Sequence, residues 1–192
     1  MATTDLYRLA GLSSWIALVA LILSGVALAL FFGGAGQFWG PVNDALIVLT
    51  AIALVPTVVA VARAAEPQAT PWVSILTVAA VAGLVLIAVG QTLLIVGVLS
   101  LDGSYVTGGI GVIPVIAWIV LVAALSLGGG VLPSFTGWLA IATLASIVAF
   151  SAIAVLTRGP VLWIAGVVLL GVIGSWLASL ATTLGDRAVV SA

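Results

Sequence analysis

The chain has 192 residues, of which 65% are hydrophobic and 5% charged, with a net charge of −1. Soluble domains average about 45–50% apolar and about 25% charged, so no water-filled exterior suits this composition. The chain contains no Cys, His or Lys. That excludes imidazole and thiolate metal sites, His- or Cys-ligated haem, His- or Cys-based nucleophilic catalysis and Schiff-base cofactors.

The mean hydropathy of +1.51 predicts an all-α integral membrane protein. In hydrocarbon only a helix of about 20 apolar residues or a closed barrel satisfies its own backbone. The short alternating segments of a barrel are absent. Six apolar runs predict one transmembrane domain, residues 1–192, built as a bundle of six helices. The first span is residues 12–32, longer than the apolar stretch of a signal peptide. Its small pairs Ala20/Ser24 and Gly25/Ala29 allow a neighbouring helix to come close. The polar connection Gly33–Asp44 leads into the second span, residues 45–62, with Pro41, Asn43 and Asp44 read as its N-terminal cap. Pro56 is expected to kink that helix.

The third span is residues 72–99. Its Gly83, Gly90 and Gly97 recur every seven residues and predict a smooth packing seam, with Gln91 beside it. Ser100–Ile110, with Asp102 and Tyr105, reads as a polar loop before the fourth span, residues 111–127. A glycine turn then leads to the fifth span, residues 134–156. The sixth, residues 161–184, carries Gly171, Ser175 and Ser179 at four-residue spacing, a second expected seam.

Six spans place both termini on one side, together with Arg8, Arg63 and Arg187, against Arg158 opposite. The positive-inside rule then predicts cytoplasmic termini in a cell (plasma or inner) membrane, and the short chain without targeting signals leans prokaryotic. Trp15, Trp72 and Trp138 open spans on one side and Trp39 and Trp163 flank spans on the other, as two aromatic belts would. The pattern also divides into three helical hairpins, residues 12–62, 72–127 and 134–184.

This topology gathers Gln37, Trp39, Asn43, Asp44, Asp102, Tyr105, Arg158 and Trp163 at the end away from the termini, with Gln91 below them. Together they predict a cup for a small polar or amphipathic ligand. Each residue also has a plainer role. Asp44 serves as a helix cap, Arg158 as a partner of Asp44 or lipid phosphate, the tryptophans as belt residues, and Gln91 as a bond to a neighbouring helix. Trp118 and Trp176 lie deeper than a belt requires and fill helix gaps, though a buried indole N–H needs a partner. No carboxylate lies in mid-span and no base is available to activate Ser or Thr, so no catalytic residue, metal ligand or cofactor is expected.

The segments FWGPVND (Phe38–Asp44) and GGGVLPSFTGWL (Gly128–Leu139) resemble stretches of small prokaryotic six-helix membrane proteins without an established activity. The chain is also similar in size and helix number to the substrate-binding subunits of energy-coupling-factor transporters, with an AxxxA pair at Ala145/Ala149. The expected function is non-catalytic binding of a lipid, a small amphipathic ligand or a partner membrane subunit. Passage of a small solute as a channel or facilitator is the alternative. The partners are membrane lipids and a second copy or another membrane subunit, not nucleic acid.

Overall fold

The structure, a computed structural model, describes residues 3–68, 70–157 and 160–190. Among them the chain forms six long helices: α1 (Thr3–Phe32), α2 (Trp39–Ala64), α3 (Pro71–Ile95), α4 (Leu101–Leu127), α5 (Ser134–Leu156) and α6 (Pro160–Val190). A short 3-10 turn at Glu66–Gln68 follows α2, and no strand occurs among these residues. All six helices are long and apolar enough to cross a bilayer.

Two expected boundaries are corrected. The apolar run of residues 72–99 does not continue as one helix, because α3 ends at Ile95. Gly97 adopts φ +75°, and the Val98 and Leu99 amides turn back to the Leu93 carbonyl at 2.9 and 3.1 Å. This left-handed glycine ending terminates a helix whatever the hydrophobicity of the residues beyond. The stretch Ser100–Ile110, expected as a loop, is instead the beginning of α4. Ser100 is the cap, its Oγ accepting the Gly103 amide at 3.2 Å. Its glycines are tolerated because the helix satisfies backbone groups that have few partners in an apolar setting. The cap expected at Pro41, Asn43 and Asp44 is also absent. α2 begins at Trp39, which leaves Asn43 and Asp44 in its second turn.

Each helix packs on its neighbours in sequence, and α1 also packs on α6, so the six close into a ring. Both termini lie at one end, here the terminal end, with the α1–α2, α3–α4 and α5–α6 connections at the far end. Small residues set the close approaches. Gly83 faces Gly111 and Pro114 across the α3–α4 crossing, and Gly90 faces the Thr107 hydroxyl. Gly11 lies against Ala181 and Gly185, and Gly25 against Leu170, where α1 meets α6.

The α1–α2 seam is held by polar contacts on both halves. Ser14 Oγ and Thr57 Oγ1 share a hydrogen bond of 2.7 Å, and Ser24 Oγ donates to Asn43 Oδ1, also at 2.7 Å. Asn43 Nδ2 in turn donates to Asp44 Oδ1 at 3.2 Å. Interhelical bonds of this kind contribute about 0.6 kcal/mol on average and about 1.7 at most. Ser24→Ala is therefore expected to lower the melting temperature only slightly. Asn43→Ala should cost more, since it removes the partner of both Ser24 and Asp44. Equal melting of the two variants in one detergent would contradict that ordering.

The terminal half of the ring is filled. Val58, Val61, Val122, Leu177, Leu180 and Leu184 are fully buried there. The α4–α5 loop tucks Val131 and Leu132 beneath them, and Arg187 of α6 donates to the Val131 carbonyl. Arg63 pairs with Glu66 at the same end.

Candidate functional site

The residues expected to form a far-end cup lie on the α1–α2 turn and on α2, α3, α4 and α6. Gln37 is exposed in the α1–α2 turn, and Trp39 opens α2 against Phe38, with ring centroids 5.7 Å apart. Asn43 is buried and committed to Ser24. Asp102 and Tyr105 are exposed on the first turns of α4. Trp163 makes an edge contact with Phe32 at 6.2 Å, an aromatic partner the sequence reading did not include. Arg158 lies outside the described residues. Gln91 Oε1 is buried and accepts no hydrogen bond.

The expected seams are divided in the same way. Gly83 and Gly90 sit at the α3–α4 crossing, but Gly97 lies beyond the helix with open space around it. Gly171 also has open space, and Ser175 bonds back to the Gly171 carbonyl of its own helix. Ser179 is the interhelical member of its group, sharing a hydrogen bond of 2.7 Å with Thr136 of α5.

Two recesses open at the terminal end. One of about 460 Å³ is lined by Tyr7, Asp186, Arg187 and Val190, and one of about 220 Å³ by residues that include Val59, Arg63, Glu66 and Ser74. None of the expected site residues lines either. Both are shallow, and the Arg63–Glu66 pair occupies the rim of the smaller.

A different arrangement appears where α4, α5 and α6 approach the far end. None of residues 144–157 or 161–173 is buried, and on α4 only Ser104 and Gly111 are buried before Trp118. In this half α4 packs on α3 through Gly111 and Thr107, while α6 packs on α1 through Leu170, facing Gly25. Toward the far end α5 meets α6, where Gly166 faces Phe150, and α5 meets both α4 and α6 at the terminal end. There Gly137 lies against Ser126 and Leu127, and Thr136 meets Ser179. On the α4–α5 side of the ring burial thus falls off toward the far end, and we read the apolar surface left there as a groove between α4 and α5.

Three residues mark the bottom of this groove. Trp118 is the first large buried side chain met on α4 coming from the far end, and Thr143 is the last buried residue of α5. Trp176 follows Gly174 as the first buried side chain of α6. Counted along the antiparallel helices from the Thr136–Ser179 and Gly137–Ser126 contacts, Thr143 lies about level with Val120 and Val172, with Trp118 and Trp176 within roughly one turn. That level is roughly 20–25 Å from the far end at 1.5 Å per residue. The two indoles meet edge to face, centroids 5.8 Å apart.

All three carry a buried polar atom without a partner: Trp118 Nε1, Thr143 Oγ1 and Trp176 Nε1. The side chains are 2%, 1% and 3% exposed. Thr143 is unusual for its setting. Thr50, Thr77, Ser126, Ser151 and Ser175 each donate to the carbonyl four residues back, as hydroxyls in apolar helices do, and Thr143 does not. The sequence signalled the two deep tryptophans. It held no sign of Thr143, because a threonine within a span looks the same whether its hydroxyl is bonded or not.

Comparison of the chain with family models, with characterised proteins and with solved structures found no match. The fold places it in a structural class only: six apolar helices packed in a ring.

Proposed function

We propose that the protein is a non-catalytic, multi-pass membrane protein that binds a lipid or small amphipathic molecule in the groove between α4 and α5. The observation that carries this reading is the coincidence of an unburied half-hairpin, residues 144–157 and 161–173, with three unpartnered polar atoms at its base. An unpartnered buried donor or acceptor costs about 1–3 kcal/mol, so three within about two turns of one another favour a molecule that supplies the missing bonds. Cytoplasmic termini in a cell membrane remain part of the proposal, through Arg8, Arg63 and Arg187 at the terminal end.

Passage of a solute through the ring is the weaker reading. The Trp118–Trp176 pair and the buried Val131 and Leu132 fill the ring's interior toward the terminal end. Catalysis has no support either, since no ionisable side chain lies within about two turns of Trp118, Thr143 or Trp176 on their own helices.

Native mass spectrometry of protein released in mild detergent tests the proposal. The expected result is a monomer carrying one reproducible additional mass. A bare monomer, even after purification in lipid-supplemented detergent, would overturn it.

A further inference from the structure

Resting on that reading, we propose that the bound molecule is a neutral, carbonyl-bearing amphipath. Its oxygen is inserted head-first to accept hydrogen bonds from Trp118 Nε1 and Trp176 Nε1, with Thr143 Oγ1 as the third polar contact.

The donor set argues for this chemistry. An indole N–H donates only, so two of the three unpartnered groups require an acceptor, and the Thr143 hydroxyl can donate or accept. No Arg, Asp or Glu lies near this level on α4, α5 or α6. A phosphate or ammonium headgroup would therefore stand uncompensated at this depth, a costly arrangement in hydrocarbon. A phospholipid satisfies the groove only with its acyl chains, leaving the base unmatched. A molecule with an apolar tail and a neutral carbonyl matches both the lining and the base.

Access follows from how α5 is held. It meets α6 both at Ser179 and toward the far end, where Phe150 lies against Gly166, but meets α4 through Ser126 and Leu127 at the terminal end. Trp118, Thr143 and Trp176 are shut from solvent in this structure, so the carbonyl reaches them as α5 tilts away from α4 about that anchored end. The Trp118–Trp176 edge contact gives an N–H at most a weak aromatic partner, which a carbonyl oxygen would outcompete.

The test uses the full chain in detergent and two probes with the same tail. These are radiolabelled decyl-1,4-benzoquinone, which carries carbonyl groups, and decylbenzene as competitor, which carries none. The quinone is expected to bind saturably, with decylbenzene at least about ten-fold weaker. Trp118→Phe, Trp176→Phe and Thr143→Val keep ring or shape while removing the polar atom. Each should weaken quinone binding about five-fold and leave decylbenzene unchanged, so that the two affinities converge.

Equal affinity of the unaltered protein for both probes would overturn the inference while leaving groove binding intact. If neither probe binds but native mass spectrometry still finds a bound mass, the carbonyl assignment fails. If no mass is found either, both proposals fail. Should a tryptophan variant not fold, the comparison of the two probes on the unaltered protein decides alone.

Discussion

Gly83→Leu is expected to abolish the folded bundle. A Cβ at this position would collide with the Gly111 carbonyl oxygen and lie 2.7 Å from Pro114 Cγ. Neither obstacle is the flexible end of a side chain. One is backbone and the other a ring fixed to backbone, so the whole of α4 would have to move. Gly111 is closed from the other side, where an added Cβ would lie 2.7 Å from the Gly83 carbonyl oxygen. Overpacking of a rigid contact costs about 3 kcal/mol, a large share of the stability of a small domain. The expected readout is loss of monodisperse protein on detergent extraction. Gly171→Leu is the control. It has open space around it, so its melting temperature should stay near that of the unaltered chain, with a change within about 0.5 kcal/mol. Comparable behaviour of the two variants would show that the α3–α4 crossing is not tight.

The second large effect is expected from Trp118→Ala. The indole is 2% exposed and lies against Trp176. Helices in lipid gain no hydrophobic drive from associating with one another, so packing contacts carry the association and an internal void forfeits them. Truncation of a buried Trp costs about 3–5 kcal/mol. Trp118→Phe should recover most of this, because it keeps an aromatic ring facing Trp176. Trp138→Ala, by contrast, removes a ring that is 62% exposed and should melt close to the unaltered chain. A Trp118→Ala variant as stable as Trp138→Ala would place Trp118 outside the core.

Much of the architecture was readable from hydropathy. Five of the six expected spans fall within a single helix, and the third overran only because Gly97 turns left-handed in a run that is apolar on both sides. Composition sees residues 96–99 as more hydrocarbon, and only backbone conformation distinguishes an ending there. Ser100–Ile110 misled in the opposite sense. Its Asp, Ser, Tyr and glycines look like a loop, yet a single Ser100 cap commits them to α4.

The site was less legible, for a geometric reason. Gathering polar residues at one end of a bundle says nothing about which helix face each occupies. Asn43 turns toward Ser24, while Asp102 and Tyr105 are exposed, and neither fact could be read from the sequence. Gly171 and Ser175 have seam-like spacing but lie where α6 has no close neighbour at that face. The groove is read from where burial stops along three helices, a property of packing rather than of any residue type. The depth of Trp118 and Trp176 was the one sequence feature that pointed toward it.

The closure of α1 on α6 has a consequence for biosynthesis. α2 to α5 each pack on the helix made just before them, so each hairpin can form as it leaves the ribosome. The face of α1 that carries Gly11 and Gly25 must wait for Ala181, Gly185 and Leu170 of α6, the last helix to be synthesised. Until then the nascent chain presents a small-residue stripe to the lipid, open to any other helix that can approach it closely. A chain arrested or cut before α6 would keep that stripe uncovered, which makes the final helix the point at which quality control can tell a finished ring from an unfinished one.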